Sequence, residues 1–246
     1  MGLIINVACG QADLKKRFDK GVNLVMDGKY EKAIVIFSDI LQKASDNDLK
    51  KSCYIYRGLA YNGLQEFKSE LADLDKAIAI DSTDLATYVD RGQTNASLTD
   101  LEEAKKDFLH VLSKDSISEQ GQAALYYMGK INYQLGKFEL AIHYNTRLLS
   151  IKPNDIEVYF NRGCAKGMLL DFAGAIKDYD KATELNADYA EAYANRGVAK
   201  INLVTVKGKI QPTPEQTADG CKDLKKARDL GDKAVDDLIF IYCRKK

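Results

Sequence analysis

The chain contains 246 residues, and its 36 lysine and arginine residues balance 36 aspartate and glutamate residues. This zero formal net charge argues against a dedicated nucleic-acid-binding protein, because such proteins usually carry a clear basic excess. The 46% hydrophobic and 29% charged residues are typical of a folded domain with a solvated surface. The longest apolar runs are about six residues, far below the roughly 20 that a membrane span requires, so no membrane span is predicted.

Residues 1–13 form a leader that precedes the repeats described below. An apolar stretch, residues 3–8, is followed by Cys9, which resembles the end of an export signal or a lipoprotein acylation site. The segment has no basic start, and Asn6 stands where the lipoprotein pattern has Leu, Val or Ile. The alternative is a disordered or fraying helical leader. The localisation stays open between the cytoplasm and, if residues 1–12 are a truncated signal, an exported or periplasmic site.

A phrase centred on glycine recurs along the chain every 34 or 37 residues, which indicates a repeat protein. Its fullest form is Tyr-x-x-Arg-Gly, and the six copies, two of them looser, are centred on Gly21, Gly58, Gly92, Gly129, Gly163 and Gly197. After each glycine, apolar residues recur at intervals of three and four, which is helical periodicity. Each unit is therefore predicted to contain two helices.

This pattern resembles the tetratricopeptide repeat family over residues 14–234. The glycine, and an alanine twelve residues later in most units, let the two helices of a unit approach closely. The resemblance implies an all-α fold, a right-handed α-solenoid of helix-turn-helix repeats. The six predicted units are 14–47, 51–84, 85–118, 122–155, 156–189 and 190–234, the last with an inserted loop near 205–217. A C-terminal capping helix is predicted over residues 232–246, because the end of a solenoid has to be covered.

The cysteines and histidines give no pattern of a chemical site. The five cysteines stand far apart without C-x-x-C spacing, so we expect free thiols and neither a disulfide framework nor a zinc site. His110 and His143 are predicted on the convex, solvated side of second helices. The chain has no phosphate-binding loop, nucleophile elbow or metalloprotease motif. It is therefore interpreted as non-catalytic, with no metal and no cofactor.

Two features of the repeat concern charge. One arginine recurs in four units, as Arg57, Arg91, Arg162 and Arg196. These arginines could form a phosphate-binding row, but ion pairs with acidic residues of the second helices are the preferred interpretation. The acidic residues are Asp73, Asp75, Asp107, Asp178 and Asp180. Exposed pairs of this kind contribute about 0–1 kcal/mol each. Glu70 stands where most other units have alanine. Because a buried unpaired carboxylate is costly, we expect Glu70 to tilt outward or to pair with Lys51 or Arg91.

The resemblance implies that the first helices of the units line a concave groove in which segments of partner proteins bind. The candidate groove residues lie between the core-facing positions of these helices and are Tyr56, Asp90, Tyr126, Tyr127, Lys130, Tyr133, Phe160, Asn161 and Asn195. Tyrosine combines an apolar face with a hydroxyl, and asparagine can donate to and accept from a peptide backbone. For Tyr126 and Tyr133, packing between units is an equally good interpretation.

One sub-family grips the C-terminal carboxylate of chaperones with lysine and amide side chains. Phe18, Ala86 and Glu191 stand at its basic positions in this chain, so binding of that type is not expected. Two hypotheses remain. The first is a scaffold or adaptor that binds a protein or peptide segment in the groove. The alternative is a structural subunit of a cell-envelope or secretion assembly that uses its convex face and termini. The oligomeric state and the partner stay open.

Overall fold

The computed structural model describes residues 2–206 and 212–243, with side chains described for residues 13–205 and 212–243. Within these ranges the secondary structure is helical, and no strand is found. The helices are α1 Gly2–Met26, α2 Tyr30–Lys43, α3 Asn47–Gly63, α4 Phe67–Ile80, α5 Leu85–Ser97, α6 Leu101–Lys114, α7 Glu119–Gln134, α8 Phe138–Ile151, α9 Ile156–Met168, α10 Phe172–Leu185, α11 Ala190–Val206, α12 Pro214–Asp229 and α13 Asp236–Tyr242. A 3₁₀ turn, Lys233–Val235, precedes α13.

The chain divides into two compact units, of which the first is Met1–Ala124. In this unit each helix from α1 to α6 packs against the next one in the chain. Ala33, Phe37 and Ile40 of α2 are fully buried, and Phe108 and Val111 take the equivalent places in α6. These residues recur at intervals of three and four, so each helix buries one face against its neighbours.

The second unit, Leu125–Lys246, is built in the same way. Each helix from α8 to α12 packs against the next, and α13 packs on α12. Ala175 and Ala182 of α10 are fully buried, as are Leu224 and Ala227 of α12. The predicted all-α helical repeat is therefore confirmed as the fold class, whereas the right-handed path of a superhelix stays a prediction.

Four repeats contain an arginine clamp, in which one arginine joins three helices. Arg91 donates from Nε and Nη2 to the Asp107 carboxylate at 3.0 and 2.6 Å, and from Nη1 to Asp75 of the preceding hairpin at 2.7 Å. The other clamps pair Arg57 with Asp73, Arg162 with Asp178 and Arg196 with Asp223. The predicted ion pairs between helices are thus confirmed, but the principal aspartates are buried, between 2 and 6% exposed. They are not the weak surface pairs expected from the sequence.

The last repeat differs in its boundaries from the sequence prediction. The loop predicted near 205–217 is shorter, because α11 continues to Val206 and α12 begins at Pro214. A capping box between Thr213 and Gln216, with proline at the start of the helix, fixes that beginning. The predicted helix over 232–246 begins instead as the 3₁₀ turn and becomes α-helical only at Asp236. Residues 207–211 and 244–246, and the side chain of Cys9 in the leader, lie outside the described parts of the chain.

The expectation of free thiols is wrong for two cysteines. Cys221 and Cys243 form a disulfide, with their Cα atoms 5.5 Å apart, which joins α12 to the residue after α13. Cys53 and Cys164 are free. This disulfide could not be predicted from the sequence, because a separation of 22 residues does not show that α13 folds back onto α12.

The expectation for Glu70 is also wrong. Its side chain is 4% exposed and accepts two hydrogen bonds from Asn62 Nδ2, at 3.1 and 2.9 Å. Burial raises the pKa of Glu70, while hydrogen bonds from Asn62 and Thr94 act in the opposite direction. Neutral donors, rather than a basic side chain, therefore satisfy this carboxyl group. Lys51, one of the expected partners, binds Asp81 at 2.8 Å instead.

Candidate functional site

A cavity of about 370 Å³ opens in the second unit between the C-terminal half of α7, α8 and α9. We call it the α7–α9 cavity. Four residues predicted for the groove line it: Lys130, Tyr133, Phe160 and Asn161. The sequence assigned these residues to the same face of successive first helices, and the structure brings them together around one cavity.

Asn145 of α8, which lines the cavity, interrupts the repeat pattern. Sixteen residues after the repeat glycine, three other units carry an aromatic ring that packs against the glycine, namely Phe37, Phe108 and Tyr179. A Cβ added to Gly92 would lie 2.8 Å from the Phe108 ring, and one added to Gly163 would lie 2.7 Å from the Tyr179 ring. At Gly129 the equivalent neighbour is the side-chain amide of Asn145, which lines the cavity. A Cβ added to Gly129 would lie 2.7 Å from Asn145 Oδ1, so the amide approaches its glycine as closely as the rings do, but it is a smaller group than an aromatic ring.

One polar group in the cavity lacks a partner. Asn161 Nδ2 is buried and makes no hydrogen bond to any residue that the structure describes. A buried donor without an acceptor costs about 1–3 kcal/mol, and most such groups in native proteins are satisfied. If the Asn161 side chain turned its Nδ2 toward the cavity, an acceptor supplied by a bound molecule, such as a peptide carbonyl oxygen, would remove this cost.

The walls around Asn161 are largely apolar. Phe160 packs against Tyr189 and Tyr179, with ring centroids 5.1 and 5.9 Å apart, so its ring is held in place. Tyr133 packs edge-on against Phe138 at 5.4 Å. Lys130 is exposed, and its Nζ lies 5.2 Å from the centroid of the Tyr126 ring. The arrangement combines an apolar pocket with one amide donor and one cation.

A second cavity of about 210 Å³ lies beside the first, between α9, α10 and α11. We call it the α9–α11 cavity. Asn195, another predicted residue, lines it, and so do Met168, Val198 and Asn202. Asn195 Nδ2 already donates to the Glu191 carbonyl oxygen at 3.1 Å, so this amide is less available than that of Asn161.

The remaining predicted residues line neither cavity. Tyr126 donates a hydrogen bond from its hydroxyl to Glu157, and burial raises its pKa. Its ring packs edge-on against half-buried Tyr127, with centroids 5.3 Å apart. For Tyr126 the structure therefore shows packing and a hydrogen bond between two helices of the unit, which was one of the two interpretations left open.

In the first unit, Tyr56 and Asp90 occupy the same repeat position on α3 and α5. The Tyr56 ring packs edge-on against Phe18, with centroids 5.4 Å apart, as part of the core of the first hairpin. Asp90 is half-buried, and burial followed by the nearby charge of Asp84 raises its pKa to about 6. Neither residue lines a described cavity within this unit.

Several lining residues were not among the predicted site residues, and two of them are polar or reactive side chains close to Asn161 in the same cavity lining, Asn145 and Cys164. In the sequence, Asn145 stands where three other units have Phe37, Phe108 and Tyr179, and this difference was the available signal. Cys164 lines both cavities, and Tyr179 donates a hydrogen bond to its sulfur at 3.5 Å. Burial raises the pKa of the Cys164 thiol, so it is a poor nucleophile.

Among the described residues, no group of three or more His, Cys, Asp or Glu side chains is placed to hold a metal ion. The same part of the chain contains no helix long and apolar enough to cross a membrane. His143 is exposed, whereas His110 is half-buried and stacks on Tyr88 with centroids 4.2 Å apart. The expected solvated position therefore holds for His143 and is wrong for His110.

Comparison with known proteins identifies the repeat. Residues 171–203 match the model of a TPR repeat. A curated relative, the DnaJ homolog subfamily C member 7 homolog of Schizosaccharomyces pombe, is 27% identical over 146 residues, which cover 59% of this chain and 30% of the relative. The chain spans only 24 to 38% of the length of the curated relatives that it matches.

Two solved structures show the same fold. The C-terminal part of a TPR repeat-containing protein from Cytophaga hutchinsonii has a TM-score of 0.73 and 19% identity, covering 91% of this chain and 84% of that chain. YrrB, titled a TPR protein with an unusual peptide-binding site, has a TM-score of 0.63 and 23% identity, covering 81% of this chain and 94% of that chain. The protein is thus a helical repeat protein that shares its fold with these TPR proteins.

Proposed function

We propose that the protein is a non-catalytic scaffold or adaptor that binds a segment of a partner protein on the face formed by α7, α9 and α11. The single observation that supports this most strongly is the unpartnered Asn161 Nδ2 in an apolar cavity. A main-chain carbonyl oxygen of an extended segment would accept its hydrogen bond, and an apolar side chain of that segment would fill the cavity. YrrB, which is described as a TPR protein with an unusual peptide-binding site, has the same fold, and this agrees with such a role.

The α7–α9 cavity lowers the stability of the fold, and a binding function would account for its presence. Asn145 and Asn161 stand where a phenylalanine and a satisfied amide would give a more stable repeat, and functional sites commonly lower stability in this way. A purely structural repeat would gain from a larger side chain at Asn145, because open space in a core forfeits packing contacts.

The experiment is selection of displayed random peptides on the full chain, followed by fluorescence anisotropy with the best peptide. We expect Asn161→Ala and Asn145→Phe each to weaken binding at least tenfold, the first by removing the donor and the second by filling the cavity. Asn145→Phe should leave the melting temperature unchanged or raise it. His143→Ala, on an exposed part of α8, is the control and should bind like the wild type.

Failure to enrich any peptide, or equal affinity of both cavity variants and the wild type, would exclude the cavity as the binding site. The second candidate function, a structural subunit of a cell-envelope or secretion assembly, would then be preferred. The Cys221–Cys243 disulfide favours it, because disulfides persist in oxidising compartments such as the periplasm. If the protein is such a subunit, changes to exposed residues outside the cavities, such as His143→Ala, should abolish the assembly.

A further inference from the structure

The two cavities of the second unit share a wall. Tyr133 and Cys164 line both of them, so the α7–α9 cavity and the α9–α11 cavity are separated by a partition of these two side chains. The Tyr179 hydroxyl donates a hydrogen bond to the Cys164 sulfur, which fixes the position of this side chain in the partition. A segment that fills the first cavity therefore passes directly over the mouth of the second.

The cavities differ in size and in lining. The larger, of about 370 Å³, is bounded by the rings of Phe160 and Tyr133. Aromatic rings prefer offset or edge-to-face contacts with other rings, so this lining suits an aromatic side chain. The smaller, of about 210 Å³, is bounded by the flexible Met168 and by Val198, which suit an aliphatic side chain.

The positive charge of Lys130 at the α7–α9 cavity is a third feature that would select the bound segment, besides the size and the lining of the cavities. Lys130 lines the larger cavity but not the smaller one, and among the described residues it forms no ion pair with a carboxylate. Its exposed Nζ rests against the Tyr126 ring, 5.2 Å from the centroid, and is held near the cavity mouth. An acidic side chain would be attracted to this end of the site and not to the other.

We propose, building on the proposed function, that the site recognises an extended segment with two apolar side chains and one acidic side chain. An aromatic residue enters the α7–α9 cavity, and an aliphatic residue two positions along the segment enters the α9–α11 cavity. Alternate residues of an extended chain point to the same side about 7 Å apart, which spans a partition one side chain thick. The acidic residue flanks the aromatic one and faces Lys130, which sets the direction of the segment.

Two matched variants test the two cavities separately. Gln134 lines only the larger cavity and Asn202 only the smaller, and both are polar residues near the ends of first helices. Gln134→Trp and Asn202→Trp each place an indole in one cavity. Random-peptide selection is run on the wild type and on both variants, after circular dichroism and thermal melting have shown that each variant is folded.

The wild type is expected to enrich peptides with an aromatic and an aliphatic position two residues apart and an acidic neighbour of the aromatic one. Gln134→Trp should lose the aromatic preference and keep the aliphatic one, and Asn202→Trp the reverse. Lys130→Gln should lower affinity for the selected acidic peptide at least fivefold, and much less for its amide analogue. Enrichment of a single apolar position, or equal loss of both preferences in each variant, would overturn this inference while leaving peptide binding intact. Absence of any binding to the wild type would instead refute the proposed function.

Discussion

Replacing Asp90 by asparagine is expected to stabilise the protein at neutral pH. Burial is the main cause that raises the pKa of Asp90 from its ordinary value of 3.8 to about 6, and the charge of Asp84 adds to it. Asparagine is already the residue at the same repeat position in the last repeat, where Asn195 Nδ2 donates to the main-chain carbonyl oxygen of Glu191. The repeat therefore accommodates the amide without the cost of burying a charge.

The magnitude follows from linkage between protonation and folding. A shift of about 2 pH units, at about 1.4 kcal/mol per unit, gives an upper limit of about 3 kcal/mol. Because the folded-state pKa is raised, Asp90 contributes its full stability below about pH 4, and this contribution is lost as the pH rises through about 6. The Asp90→Asn variant lacks this titration. Its advantage over the wild type should be near zero at pH 4 and approach the limit at pH 7.

Urea unfolding of both proteins between pH 4 and pH 8 measures this difference directly. Asp219→Asn, at an exposed carboxylate of α12, is the control and should change the unfolding free energy by less than about 0.5 kcal/mol at every pH. A stability difference that does not vary with pH, or an Asp90→Asn variant less stable than the wild type at pH 7, would refute the reasoning. The charge of Asp90 would then be satisfied in the folded protein.

Two further predictions concern buried interactions. Glu70→Ala should lower the unfolding free energy by about 1–3 kcal/mol, measured by urea titration at pH 7, because it removes a buried side chain and the two hydrogen bonds that this side chain accepts. A neutral or stabilising effect would contradict this role of Glu70. Changing Cys221 and Cys243 together to serine should lower the unfolding free energy by about 3 kcal/mol, as expected for a closed loop of 22 residues. A reductant should cause the same loss in the wild type and no further loss in the variant. An unchanged unfolding midpoint of the wild type after reduction would exclude the disulfide.

The repeated phase of the sequence was sufficient to predict the helices and one face of the candidate site. Lys130, Phe160 and Asn161 lie around one cavity because they are on the same face of successive first helices, which is information carried by the repeat. Asn145, which stands where three other units have an aromatic ring, also lines the cavity. How the amide and the rings lie against their glycines is shown only by the three-dimensional structure.

Other features could not be predicted because they depend on contacts that the repeat does not encode. Glu70 of α4 is satisfied by Asn62, a residue of the neighbouring helix α3. The pairing of Cys221 with Cys243 depends on how α13 returns to α12. In both cases the decisive information is a distance between helices, and the spacing of residue types along one helix does not contain it.

The arginine clamps attach neighbouring hairpins to one another through the same kind of contact. Arg162 and Asp178 are separated by 16 residues, whereas Arg196 and Asp223 are separated by 27, yet both pairs form the same contact. The clamp therefore constrains the relative rotation of two helices and leaves the length of the connection between them free, and longer connections cost little entropy. Arg196 also binds Asp180 of the preceding hairpin, so a hairpin that carries its own arginine and aspartates brings both of its attachments with it. Duplication of a hairpin that carries a clamp arginine and both aspartates, as α9–α10 does with Arg162, Asp178 and Asp180, would repeat these attachments. An array of this kind can therefore change its length, and the number of its binding positions, without redesign of its core.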